Sequence, residues 1–113
     1  MKYIIAVIKP ERLPQVQAAL YAAEVNLITV SEVLGHGRQK GVTEVYRAYK
    51  ESGNLLRKIK IEIAVNDNFV EPTIAAITTA ARSGEIGDGK IFILDLEHVI
   101  RIRTGETGSE AIR

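Results

Sequence analysis

Two stretches of this chain repeat one another. Residues 5–18, IAVIKPERLPQVQA, align without a gap on residues 63–76, IAVNDNFVEPTIAA. Both keep Ile-Ala-Val, then a proline, then a β-branched residue two positions on, then alanine two further. The prolines, Pro14 and Pro72, suit the first turn of a helix, where their missing N–H would have had no partner. Each copy reads as a strand feeding a helix. A chain that does this twice is held to few topologies.

The remaining pattern fills in around the copies. Residues 3–8 form a continuous apolar, β-branched run, as in a strand covered on both faces. Residues 14–24 carry Val16, Leu20 and Ala23 at helical spacing, and residues 26–34 (NLITVSEVL) are again β-branched. In residues 58–65, Ile59, Ile61, Ile63 and Val65 alternate with Lys58, Lys60 and Glu62, which predicts a strand with one buried face. A helix from Pro72 through Ile74, Ile77 and Ala81 has Gly84 placed as its C′ residue. Residues 91–96 read as a strand, residues 99–104 as a short final one, and the tail from Gly105 as loose.

The expected fold is therefore α+β, a ferredoxin-like βαββαβ with a short extra C-terminal strand, in a single domain over residues 1–113. Two helices cover one sheet face. The other face, expected to carry Ile4, Ala6 and Ile8, has no helix left to cover it, which predicts self-association.

Composition excludes several functions. A net charge of +1 gives no bulk reason for nucleic acid or anionic lipid as a partner. The absence of cysteine removes disulfides, thiolate metal sites and cysteine nucleophiles together. The apolar run near the N-terminus is too short for a signal segment, and nothing approaches the roughly 18 apolar residues of a membrane span. A cytoplasmic location is expected, without direct membrane insertion.

Three elements hint at an anion site. Gly87-Asp88-Gly89-Lys90 lies between a helix end and a strand, where successive backbone N–H groups can converge on an anion beside a lysine. The alternative is a turn whose glycines merely supply positive φ. Arg101 and Arg103, two apart on an expected strand, would share a side and suit a polyphosphate, or else a solvated face. GHGRQKG, from Gly35 to Gly41, adds three glycines and two cations, or a hinge. Neither a Walker A loop nor a complete G-x-G-x-x-G is present, since the third glycine position of the latter is Lys40. His36 and His98 lack companions at metal-ligand spacing, Asp95 and Glu97 lack an apolar pocket, and no nucleophile–base pair is evident.

Taken together, TVSEVLGHGRQKGVTEVYR, KIKIEIAV, SGEIGDGKIFILDL and VIRIRTGE resemble the PII family of nitrogen-regulatory signalling proteins over nearly the whole length. Ser83, the Gly87–Lys90 tetrapeptide, Ile91 and Phe92 match the family's C-terminal signature at every defined position. The resemblance implies a homotrimer that binds ATP or ADP between neighbours, with Mg²⁺ accompanying ATP and 2-oxoglutarate as effector. It assigns Gly87, Asp88, Gly89 and Lys90 to the phosphates, with Arg101 and Arg103 supplied to the same cleft and Arg38 joining in some states. Thr29 and the backbone at Gly35, Gly37 and Ala64 would line the nucleotide pocket. Gln39 would ligate Mg²⁺, and Lys58 would pair with a 2-oxoglutarate carboxylate beside the backbone of Gln39, Lys40 and Gly41.

The resemblance also gives the long segment between the second and third strands a purpose. It corresponds to the T-loop, at about residues 37–55, through which such proteins contact a partner. Many bacterial members read Y-R-G-A-E-Y at the tip and modify the last tyrosine; here that position is Glu51, which has no hydroxyl. Val42, Val45, Tyr46 and Tyr49 stand at helical spacing, which suggests ordering on a partner, or else packing back on the chain's own trimer. Arg47 matches the arginine that ammonium-channel-binding members insert, so an ammonium transporter leads as partner, ahead of a nitrogen-metabolism enzyme or regulator. Other readings are a PII-like adenylate sensor without 2-oxoglutarate, a weak ATP hydrolase, and an RNA-binding module, which the scarcity of strand aromatics disfavours.

Overall fold

The computed structural model describes residues 1–36 and 55–112. Strand β1 (Lys2–Ile8) leads through a 3₁₀ turn at Pro10–Arg12 into helix α1 (Leu13–Ala22). Strands β2 (Thr29–Gly35) and β3 (Leu56–Val65) follow. A second 3₁₀ turn, Asp67–Phe69, opens helix α2 (Val70–Ala81), and β4 (Gly89–Asp95) completes the sheet. The two repeated stretches thus fold alike, even to the 3₁₀ turn before each helix. Sheet order is β2-β3-β1-β4, every pair antiparallel, as the ferredoxin-like expectation requires.

Register decides which face is the core. Ile4, Ala6 and Ile8 stand opposite Ile63, Ile61 and Ile59, and all six are buried. Cross-strand partners share a face, so these residues lie with Val16, Leu20, Ile77 and Ala81 of the helices in one apolar cluster. This corrects the expectation that Ile4, Ala6 and Ile8 face away from the helices. Both faces of β1 are apolar, so alternation alone could not choose; the opposing isoleucines of β3 do. The open face instead carries Tyr3, Ile5 and Val7, with Lys60 and Glu62 beside them and the half-exposed Phe92 and Leu94 on β4. Tyr3 donates a hydrogen bond to Glu62 on this face, which raises the phenol and lowers the carboxyl from their ordinary values.

Three local expectations also change. Helix α1 was expected to reach Glu24, yet it closes earlier in a complete Schellman motif. Glu24 adopts φ 62°, Val25 N donates to Leu20 O at 2.8 Å, and Glu24 N donates to Tyr21 O at 2.9 Å. Gly84 is not the C′ residue of α2, because the chain is already extended at Arg82; its φ of 87° serves the following loop. Residues 99–104 form no strand. Gly105, at φ 75°, turns the chain back, so that Arg101 N donates to Glu106 O at 2.8 Å and only an isolated bridge joins Ile100 to Thr107. The tail expected to be loose carries a short helix α3 (Ser109–Ile112). No helix among the described residues is long and apolar enough to cross a membrane.

Candidate functional site

The sheet has two chemically different ends. At one end β1 finishes at Ile8, which stands between Ile59 and Gly89, while Gly35 closes β2 opposite Leu56. At this end the loop from Ser83 to Gly89 folds around a single side chain. Asp88 accepts from Ser83 N and Gly84 N at 2.9 Å each and from Ser83 Oγ, and Lys9 Nζ lies 3.4 Å away. The Ser83 hydroxyl heads the causes that hold the Asp88 carboxyl well below the usual carboxylate range. It is therefore ionised at neutral pH, and its oxygens are spent on the loop's own donors. Asp88 shapes the nest in which its neighbours stand.

The glycines have separate reasons. Gly87 adopts φ 100°, which side-chain-bearing residues avoid. Gly89, at φ 104°, lies so close to β1 that a Cβ would fall 1.7 Å from the Val7 carbonyl oxygen. From β3, Lys58 reaches across and donates to Gly87 O at 3.2 Å. Partial burial, with Lys9 adding to it, lowers the Lys58 ammonium from its ordinary value. Two lysines converging on one loop favour any anion that comes between them.

A cavity of about 670 Å³ opens here. Lys58 and Lys90 supply charge to its wall, Gly35, Gly87 and Gly89 supply backbone, and Val7, Ile86 and Phe92 add apolar surface. That lining suits a ligand with an anionic chain and a flat apolar part, and the cavity's size is in the range of small-molecule pockets. His36 also lines it, while His98 is exposed and 3.9 Å from Glu97. No group of three or more His, Asp or Glu among the described residues could hold a metal ion.

The sequence-derived set is divided between the ends. Gly35, Lys58, Gly87, Asp88, Gly89 and Lys90 come together as expected at the cavity end. Thr29 and Ala64 do not; Ala64 pairs with Tyr3 near the opposite end of the sheet, and Thr29 pairs with Glu62, level with Ile5 at mid-sheet. Thr29 and Gly35 bound the seven residues of β2, about 20 Å of strand. Arg101 and Arg103 do not share a strand face, since they lie in the turn after β4. Arg101 is hydrogen-bonded to Glu106 and to the carbonyls of Glu110 and Ala111, and Arg103 is exposed. This turn belongs with the far end, for Asn66, just past β3, donates to Ser109 O at 3.3 Å. Gly37, Arg38, Gln39, Lys40, Gly41, Val45, Tyr46, Arg47 and Tyr49 lie outside the described residues, as does Glu51. Sequence reasoning overlooked Lys9. Its one signal is a lysine closing an otherwise apolar strand just before Pro10.

Relatives supply the context for this geometry. Residues 1–106 match the family model described as Nitrogen regulatory protein P-II. The chain is 61% identical over 114 residues to Nitrogen regulatory protein GlnK1 of Methanosarcina mazei, covering 99% of this chain and 97% of that one. It is 50% identical over 112 residues to Nitrogen regulatory protein P-II of Rhizobium etli, covering 99% of this chain and all of that one. Nitrogen regulatory protein P-II 2 of Methanothermobacter thermautotrophicus is 51% identical over 112 residues, with 99% and 97% covered. On a match that spans both ends of the sheet and the turn after it, the chain belongs to the P-II family of nitrogen regulatory proteins.

Proposed function

We propose that this protein is a cytoplasmic, non-enzymatic sensor that reads ATP against ADP together with 2-oxoglutarate and reports to a nitrogen-metabolism partner through its T-loop. The cavity at the Gly35 end carries the reading: Lys90 and the glycine backbone there suit a phosphate chain, and Lys58 on the same wall suits a second anion. Gly87, Gly89 and Lys90 would hold phosphates, and Lys58 would take a carboxylate of 2-oxoglutarate. Gln39 would ligate Mg²⁺, which offsets the repulsion between triphosphate and dicarboxylate. Effector binding would then need Mg-ATP and fail with ADP, and each ligand would raise the other's affinity by one common factor.

The division of the site residues between two ends supports a trimer. A nucleotide held by Lys90 of one copy would be reached by Arg101, Arg103 and Thr29 of a neighbour, and the open face with Ile5, Val7, Phe92 and Leu94 would be buried in the assembly. The partner would be an ammonium transporter or a nitrogen-metabolism enzyme or regulator, engaged by Val45, Tyr46, Arg47 and Tyr49. Because Glu51 lacks a hydroxyl, output would follow loop shape and ligand occupancy instead of modification at that position.

Titration calorimetry tests the sensing directly. Mg-ATP should bind in the cavity, and 2-oxoglutarate should bind measurably only after Mg-ATP and not after ADP. Equal 2-oxoglutarate binding with either nucleotide, or with none, would contradict the reading.

A further inference from the structure

Arg101 already has an anion. Its Nη1 donates to Glu106 Oε1 at 2.8 Å, and the same oxygen accepts from Thr104 Oγ1 at 2.8 Å. Its Nη2 is directed at the Glu110 and Ala111 carbonyls, 3.3 and 3.4 Å away. The backbone fastens this arrangement, with Arg101 N donating to Glu106 O at 2.8 Å and Gly105 N to Arg101 O at 2.7 Å. The pair is only partly exposed, at 29% for the arginine side chain and 41% for the glutamate, so water screens it incompletely.

We propose that Glu106 is an internal anion that holds Arg101 and sets how strongly the site discriminates between phosphate ligands by their charge. The inference rests on the reading that Arg101 serves a nucleotide cleft. A guanidinium has five donors and can serve two anions at once, but those anions are then neighbours. Their repulsion grows with the charge the ligand brings. Whether the phosphates displace Glu106 or share Arg101 with it, the glutamate opposes binding. It opposes ATP more than ADP, and ADP more than AMP. Thr104, by steadying the carboxylate, contributes in the same direction.

Calorimetric affinities for ATP, ADP and AMP, measured on the wild type and on Glu106→Gln, Glu106→Ala and Thr104→Val, test this. The two Glu106 variants should tighten ATP binding roughly two- to five-fold, the scale of a partly exposed ion pair. The gain should fall from ATP to ADP to AMP, and Thr104→Val should follow with a smaller one. Thermal melts identify any variant that does not fold, and Thr104→Val then decides alone. Unchanged or weaker ATP and ADP binding in folded variants overturns the proposal; weaker binding would make Glu106 a residue that aims Arg101. Should the wild type bind neither nucleotide, the sensing reading fails, and this inference fails with it.

Discussion

Gly89→Ala is expected to cost at least about 3 kcal/mol of folding stability and to abolish nucleotide binding. Gly89 opens β4 opposite Ile8, and a Cβ there would meet Val7 O at 1.7 Å, Val7 C at 2.8 Å and Ile8 Cα at 3.2 Å. All three atoms are backbone of β1, which is bonded to β3 on its other side and cannot step back. The φ of 104° adds strain of its own. To admit a methyl group, β4 must part from β1 where the loop carrying Asp88 begins. Gly84 and Gly105 are the controls. Both have positive φ, but a Cβ at either meets nothing within 4 Å, so alanine there should cost only about 1–2 kcal/mol. Urea denaturation of the three variants checks the ranking; a Gly89→Ala protein no less stable than Gly84→Ala would refute it.

The second large effect falls on coupling. Lys58→Met should reduce the 2-oxoglutarate enhancement of Mg-ATP binding at least tenfold and leave Mg-ATP binding alone within about threefold. Methionine keeps an unbranched, partly buried chain while removing the charge. The Lys58 ammonium donates to the Gly87 carbonyl at 3.2 Å. Burial and the nearby Lys9 both disfavour its charge, and a carboxylate arriving beside it would favour that charge. The same calorimetric titrations check this. Full retention of the enhancement would move the effector away from Lys58.

Much of the scaffold was legible because the signals were redundant. The Ile59–Ile61–Ile63–Val65 alternation, the paired Pro14 and Pro72, and the internal repeat all point to the same two βα units, and the structure contains both. Where one signal stood alone, it misled or fell silent. β1 is apolar on both faces, so its core side emerged only from its register with β3. The end of α1 lacks a glycine; Glu24 takes the left-handed conformation there because Val25, at C″, packs into the core next to Leu20. Residues 99–104 have a strand-like composition, but positive φ at Gly105 and Gly108 and the Arg101–Glu106 pair fold them into a turn.

The site was legible in kind more than in detail. Glycines and lysines at strand ends suggested an anion site, and Gly35, Lys58, Gly87, Gly89 and Lys90 do line one cavity. Residue type could not say that the Asp88 carboxylate would be consumed by Ser83 and Gly84. Nor could it pick Lys9 from fifteen basic residues, since the Lys9–Asp88 contact bridges positions far apart in the chain.

The central claim is that one nucleotide site draws on opposite ends of two different copies, and subunit mixing tests it most directly. Lys90→Ala would disable the cavity end and Arg101→Ala the far end, so neither homo-oligomer should bind ATP well. Unfolding the two variants together and refolding them at equal amounts should restore wild-type affinity at about one quarter of the sites, because each restored site needs an intact cavity end from one copy and an intact Arg101 from its neighbour. No restored sites in verified mixed trimers would contradict the account, and would place both halves of the site within a single chain.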